Sequence, residues 1–286
     1  MAVRSGRPRY GGPLKRAATF YAPLALMVVG TLFPFYWMVI TSVRPDPELY
    51  SVTSNPFFTL HPTLKHFQYL FDLTLFPRWA WNTLFIATVS TAISLLCGLF
   101  AGYALARLQF RWAGPLGIMI FITYLVPPTL LFIPLGDVIK TFGIGNTPWA
   151  LILTYPTFLI PFSTWLLMGY FKTIPREIEE CARIDGASRL RAMFSISFPL
   201  AVPGILSAGI FAFTLSWNEF LYALVFLSSP EQKTIPIGVF TELVRGDVFY
   251  WGPLMAGALL GSIPVALVYS FFVEHYVTAL TGAVKG

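Results

Sequence analysis

Charge is what this chain has least of. Asp, Glu, Lys and Arg make up 11% of its 286 residues and hydrophobic residues 56%, with a mean hydropathy of +0.69. A soluble globular domain carries about 25% charged residues, so this composition excludes one and puts the chain in lipid. Cysteine is almost as scarce: Cys97 and Cys181 both fall away from the outer side, which argues against a structural disulfide. His61, His66 and His275 are scattered, which leaves no set of metal ligands. No Gly-x-x-x-x-Gly-Lys-Ser/Thr loop is present, so the chain does not bind ATP through that loop. No acid, base and nucleophile cluster either. Neither catalytic residues nor a metal site are expected, and the chain itself should catalyse no covalent reaction. Linkers, low-complexity tracts and internal repeats are missing as well, so residues 1–286 read as a single transmembrane domain.

What fills the chain is long apolar runs. A bilayer crossing needs about 20 of these residues in helix, and six runs qualify: 20–42, 81–106, 114–135, 149–170, 199–228 and 253–272, free of charge except for Glu219. The first is too long for a signal-peptide core and lacks a small-x-small cleavage site after it, so it is read as a span. Placing both termini in the cytoplasm leaves Arg44, Lys65, Arg78, Lys140, Lys233 and Arg245 outside and the other 13 of the 19 Lys and Arg inside. That obeys the positive-inside rule. The pI of 9.4 is then a consequence of topology, and dispersed positive charge gives no reason to invoke nucleic acid. Trp79, Trp81, Trp112, Trp149 and Trp251 sit near the span ends, as an aromatic belt would. Gly98 with Gly102 and Gly257 with Gly261 are spaced for close helix contact. Pro127, Pro128 and Pro134, and Pro156 and Pro161, should kink the third and fourth spans. The outer segments Arg44 to Trp79 and Ser229 to Trp251 are long enough to meet an external partner.

One charged island, about 172–198, interrupts this pattern. From Pro175 through Ile184 the residues are good helix formers, with Ile178, Cys181 and Ala182 on one face and charges on the other. Arg176 with Glu180, Glu179 with Arg183, and Asp185 with Arg189 are each spaced to pair along an exposed surface. Gly186 can take positive φ and end the helix, and Ala187 is small enough for a close neighbour. Inside a membrane segment, by contrast, stands Glu219, in Ser216-Trp-Asn-Glu-Phe-Leu-Tyr222. An acid at membrane depth is costly unless it faces water or protein, so it is read as a functional-site candidate, with a carboxylate bonded to a neighbouring subunit as the alternative.

The island resembles the EAA loop of ATP-binding-cassette importer permeases, whose pattern is Glu-Ala-Ala, Gly, then Ile-x-Leu-Pro at fixed spacing. Glu180, Cys181, Ala182, Gly186, Ile196 and Pro199 occupy those places, with Cys181 for the first Ala and Phe198 for the Leu. Trp217, Asn218 and Glu219 resemble the fifth-span segment of the carbohydrate-uptake branch, and the tail from Leu280 to Gly286 resembles that of the maltose-permease type. The resemblance implies an all-α membrane protein of the importer permease fold, with six transmembrane helices and a cytoplasmic EAA-type coupling helix. It implies ATPase coupling through Glu180, Cys181, Ala182, Asp185, Gly186, Ala187, Ile196 and Pro199. It also implies a translocation pathway at Trp217, Asn218, Glu219 and Tyr222, and an ATPase-contacting tail at Gly282, Val284, Lys285 and Gly286. The implied setting is the bacterial or archaeal cytoplasmic (inner) membrane. The implied partners are membrane lipid, a second permease subunit in a heterodimer, two ATP-binding-cassette ATPase subunits that bind ATP and Mg, and an extracytoplasmic solute-binding protein. The expected cargo is a sugar, oligosaccharide or polyol-type solute. The rival reading is an independent secondary carrier or channel.

Overall fold

A computed structural model of the chain describes residues 17–108 and 110–282, of which 273–282 are described by their backbone alone. Helices dominate it. α1 (Ala17–Val43) is followed by a single turn at Asp46–Leu49, by α2 (Lys65–Leu73) and by α3 (Phe76–Arg107). Then come α4 (Ala113–Leu125), α5 (Phe132–Phe142), α6 (Pro148–Thr173, with its hydrogen-bond ladder interrupted at Tyr155), α7 (Arg176–Ile184), α8 (Arg189–Leu200) and α9 (Val202–Trp217). The chain finishes with α10 (Leu221–Phe226), α11 (Ile235–Leu243), a two-stranded hairpin pairing Val244 with Phe249, and α12 (Trp251–Gly282).

Four helices, α1, α3, α6 and α12, are long and apolar enough to cross a membrane, and the bent pair α8 and α9 makes a fifth. The expected span 114–135 is not one helix. α4 has 13 residues, about 20 Å at 1.5 Å per residue, short of a hydrocarbon core of about 30 Å. It stops because Pro127 and Pro128 donate no backbone N–H and the residue before a proline is pushed out of the helical region, as Val126 is at φ −68° and ψ 122°. The expected span 199–228 differs too. The chain turns a 70° corner at Ala201, between α8 and α9, and breaks again at 218–220 before α10. Pro203, in the first turn of α9, has no N–H to offer the preceding turn, which is where the bend is tolerated.

The centre of the bundle is the α3/α6 contact. Lipid tails are as apolar as the side chains, so close packing rather than water exclusion holds such helices together. A Cβ placed on Gly98 would lie 2.7 Å from Ser163 Cβ, and one on Gly102 would lie 2.9 Å from the Met168 nitrogen. The two helices can approach this closely only because glycine has no side chain. The contacts advance together along both chains, so α3 and α6 run parallel. α9 packs on both: Ile86, Leu151, Leu159 and Ala212 share one buried cluster, and Leu99, Leu167, Phe171 and Ala208 another. α1, by contrast, is exposed along nearly its whole length and packs on α12.

Candidate functional site

Two constellations stand at the places the sequence singled out. The first is the α7/α8 knob. α7 begins after extended Pro175, and its end is fixed by Gly186 at φ +89°, where the Ala187 N–H donates to Ala182 O at 2.9 Å and the Gly186 N–H to Arg183 O at 3.2 Å. This pair of bonds is the Schellman arrangement, and it needs a left-handed residue at that position. The backbone conformation alone explains the glycine, since a Cβ there would meet nothing within 4 Å. Ser188 then caps α8, its hydroxyl accepting the Arg191 N–H at 3.2 Å.

The knob is tied to the bundle by a residue the sequence reading placed on the solvent side. Glu179 accepts the Tyr103 hydroxyl on α3 and, at 2.8 Å, the Ser197 hydroxyl on α8, and it lies 3.7 Å from Arg107 Nε. Its ion pair is therefore with Arg107, not Arg183. Arg107 also donates to Ile174 O at 2.9 Å, and Arg176 donates to Ala106 O at 3.0 Å. One half-buried carboxylate thus joins the ends of α3 and α8 to α7. Sequence spacing hid this role: the partners of Glu179 are 76 and 18 residues away, and Arg183 four residues on offered a simpler match. Of the residues expected to couple, Glu180, Cys181, Asp185, Gly186 and Pro199 are exposed, while Ala182, Ala187 and Ile196 are partly covered. The expected apolar face is open too. Ile178 is 42% exposed, and Ile184 and Leu190 beside it reach 84% and 67%.

The second constellation surrounds the break after α9. Glu219 accepts the Tyr155 hydroxyl at 2.8 Å, the Tyr222 N–H at 2.8 Å and the Ala223 N–H at 3.1 Å. Its carboxylate ties Tyr155 of α6 to the first turn of α10, a favourable place for negative charge. Tyr222 is fully buried and donates to Pro128 O at 2.8 Å, while Trp217 is 4% exposed and donates to Gly261 O at 3.0 Å. Asn218 is the exposed member of the four and bonds back to Thr214 O at 2.9 Å. Trp217 and Asn218 line an open cavity of 330 Å³ whose other walls are α11 and α12 at Pro236, Phe240, Gly257 and Gly261, whereas Glu219 and Tyr222 lie outside that lining. Gly257 and Gly261 face Val239 and Ile235, which lets α11 settle against α12. Gly282 ends α12, and Val284, Lys285 and Gly286 lie outside the described residues.

At the opposite end of the bundle the two long connecting segments are folded onto the helices. Trp79 Nε1 donates to Pro230 O at 2.7 Å, Asn82 donates to Glu231 O and Lys233 O at 2.8 and 3.0 Å, and Tyr50 donates to Phe249 O at 2.9 Å.

Several apolar crossings, a clamped charged knob at one end and a folded cap at the other define a multi-pass membrane transport component. The model of the family described as "Binding-protein-dependent transport system inner membrane component" matches residues 94–281, and the chain belongs to that family. It is 36% identical to the inner membrane ABC transporter permease protein YcjP of Escherichia coli, over 93% of this chain and 96% of that protein. It is 34% identical to the sulfoquinovosyl glycerol transport system permease protein SmoH of Agrobacterium fabrum (96% and 95%). It is also 34% identical to the trehalose/maltose transport system permease protein MalG of Thermococcus litoralis (91% and 94%). A solved bacterial ABC transporter involved in the import of the acidic polysaccharide alginate has the same fold, with a TM-score of 0.79 at 18% identity over 93% of this chain and 99% of that one.

Proposed function

We propose that this chain is one of two membrane subunits of an ATP-driven, binding-protein-dependent importer of a sugar, oligosaccharide or polyol-type solute. The observation that carries the reading is the α7 knob, clamped to α3 and α8 through Glu179 while its apolar residues Ile178 and Ile184 stay uncovered. A clamped projection of this kind transmits a push from an ATPase subunit into the helices, and both end states must differ in contact for the sites to be coupled. The names of the relatives, which include sulfoquinovosyl glycerol and trehalose/maltose systems, support the sugar class. In this reading two ATPase subunits supply ATP and Mg chemistry, a second permease completes the pathway, and a solute-binding protein delivers cargo to the folded cap. The chain is one transmembrane domain with both termini in the cytoplasm. Six crossings follow if 108–147 passes once through the membrane. Parallel packing of α3 and α6 supports this, since the chain must return from the end of one to the start of the other.

The test is uptake by the assembled complex in proteoliposomes. Solute accumulation should require the ATPase subunits and ATP, and Glu179→Ala should lower it about tenfold or more through loss of a half-buried, charge-assisted hydrogen-bond network. The same variant should lose amide-exchange protection across 176–184. Flux that persists without ATPase would instead establish the carrier or channel reading.

A further inference from the structure

At the capped end of the bundle, where α1 and α12 meet, a cavity of 370 Å³ opens whose lining includes Trp37, Thr41, Arg44, Glu48, Ser54 and Trp251. It is separate from both constellations above. Arg44 is 5% exposed, yet it pairs with no carboxylate among the described residues: Nη2 donates to Asn55 O and Phe58 O, and Nε has no partner. A buried guanidinium without a counter-ion is costly, and the cost is relieved if an anion enters. Thr41, also 5% exposed, lines the cavity and carries a hydroxyl with no hydrogen bond to a described residue. Glu48 supplies the opposite charge. It does not pair with Arg44, and its Oε2 is held at 2.7 Å by the Thr59 hydroxyl, which leaves Oε1 without a described partner. Cation and anion thus share one wall without neutralising each other. Trp37 and Trp251, at the ends of α1 and α12, mark the depth of the headgroup layer, where tryptophan is enriched.

We propose that this cavity binds the phosphoethanolamine headgroup of a membrane phospholipid. The phosphate faces Arg44 and Thr41, and the primary ammonium faces Glu48. A planar guanidinium suits phosphate oxygens, and an ammonium with three N–H donors suits a carboxylate. A phosphoglycerol headgroup would offer Glu48 only neutral hydroxyl donors, without the positive charge of an ammonium. A choline headgroup, with no N–H, would forgo the charge-assisted bonds. The apolar flank of α1 on the cavity side, exposed at Phe33 one turn from Trp37 with the two rings 5.9 Å apart, accommodates the acyl chains.

The experiment is native mass spectrometry of the assembled transporter, offered equal amounts of phosphatidylethanolamine, phosphatidylcholine and phosphatidylglycerol with matched chains. Wild type should retain phosphatidylethanolamine about fivefold or more over the other two. Glu48→Gln keeps an acceptor for Thr59 but removes the charge, so the preference over phosphatidylcholine should vanish. Thr41→Val, a substitution of similar shape, should weaken retention of all three. Folding of each variant is checked by its thermal transition and complex assembly. Soluble glycerophosphoethanolamine should not displace the lipid, and displacement at millimolar concentration would overturn the lipid assignment. Failure of the assembled transporter to retain phosphatidylethanolamine, as when a protein partner fills the cavity, would overturn the proposal. So would a preference unchanged in Glu48→Gln, or a retention unchanged in Thr41→Val. Uptake need not be measured, so this outcome is independent of the transport reading.

Discussion

Glu219 has three donors on its carboxylate, Tyr155 Oη and the Tyr222 and Ala223 N–H groups, at 2.8 to 3.1 Å. The acid is therefore committed to the protein's own backbone and to α6, and the residue next to it, Asn218, is the one that reaches the 330 Å³ cavity. Glu219→Gln retains an acceptor for one or two of these donors. Glu219→Leu strands all three, each unsatisfied buried donor costing about 1–3 kcal/mol. The Leu variant should consequently lower the thermal stability of the assembled complex by several degrees and lose most uptake, while the Gln variant keeps more of both. Fluorescence-detected size-exclusion chromatography after heating, read beside uptake, checks the order. Equal stability and full uptake in both variants would remove Glu219 from any structural or pathway role.

At the scale of elements, α7 depends on where it stops. The Ala187 to Ala182 and Gly186 to Arg183 bonds require φ +89° at Gly186. A β-branched residue there costs about 1–3 kcal/mol in backbone strain, whereas asparagine tolerates the left-handed region. Steric room does not decide the outcome, because a Cβ at this position meets nothing within the chain. Gly186→Val should therefore uncouple ATP hydrolysis from uptake while leaving membrane insertion intact, and Gly186→Asn should retain most coupling. ATPase activity and uptake measured on the same proteoliposomes separate the two. A fully coupled Val variant would mean that the turn does not set the angle between α7 and α8. The same scale explains α4. The length and hydrophobicity of the run 114–135 are those of a span, and two adjacent prolines outweigh both by removing backbone donors at Pro127 and Pro128.

For the molecule as a whole, the parallel α3/α6 pair makes a definite demand. Arg107 at the end of α3 contacts Ile174 O at the end of α6, so residues between them must carry the chain back to the other side. With Cys97 and Cys181 replaced by serine, cysteines introduced as Arg111→Cys and Lys140→Cys, both at exposed positions, should react with a membrane-impermeant maleimide from opposite faces. Labelling of both from one face would show that 108–147 does not supply the return crossing, and the parallel arrangement of α3 and α6 across the membrane would fall with it.

Composition and charge order determined a good deal without any coordinates. Charge held to eleven per cent and kept almost wholly out of apolar runs of about 20 residues or more specifies a helical membrane protein, because a continuous apolar run of that length satisfies its backbone in lipid as a helix, whereas a barrel strand needs about 10 alternating residues. The α7 helix, its Gly186 stop and the close-packing glycines were legible for the same reason: each depends on residues a few positions apart. The partners of Glu179 and Glu219 were not. Tyr103 lies 76 residues from Glu179 and Tyr155 lies 64 from Glu219, and local spacing carries no information on which distant helix will lie alongside. Neither was the charged cavity of Arg44 and Glu48, whose outer segment read as a long connector. Tertiary structure alone decided these three, because burial and pairing of a charge depend on what the folded chain brings within a few ångströms, whereas helix formation depends on the neighbours the sequence already supplies.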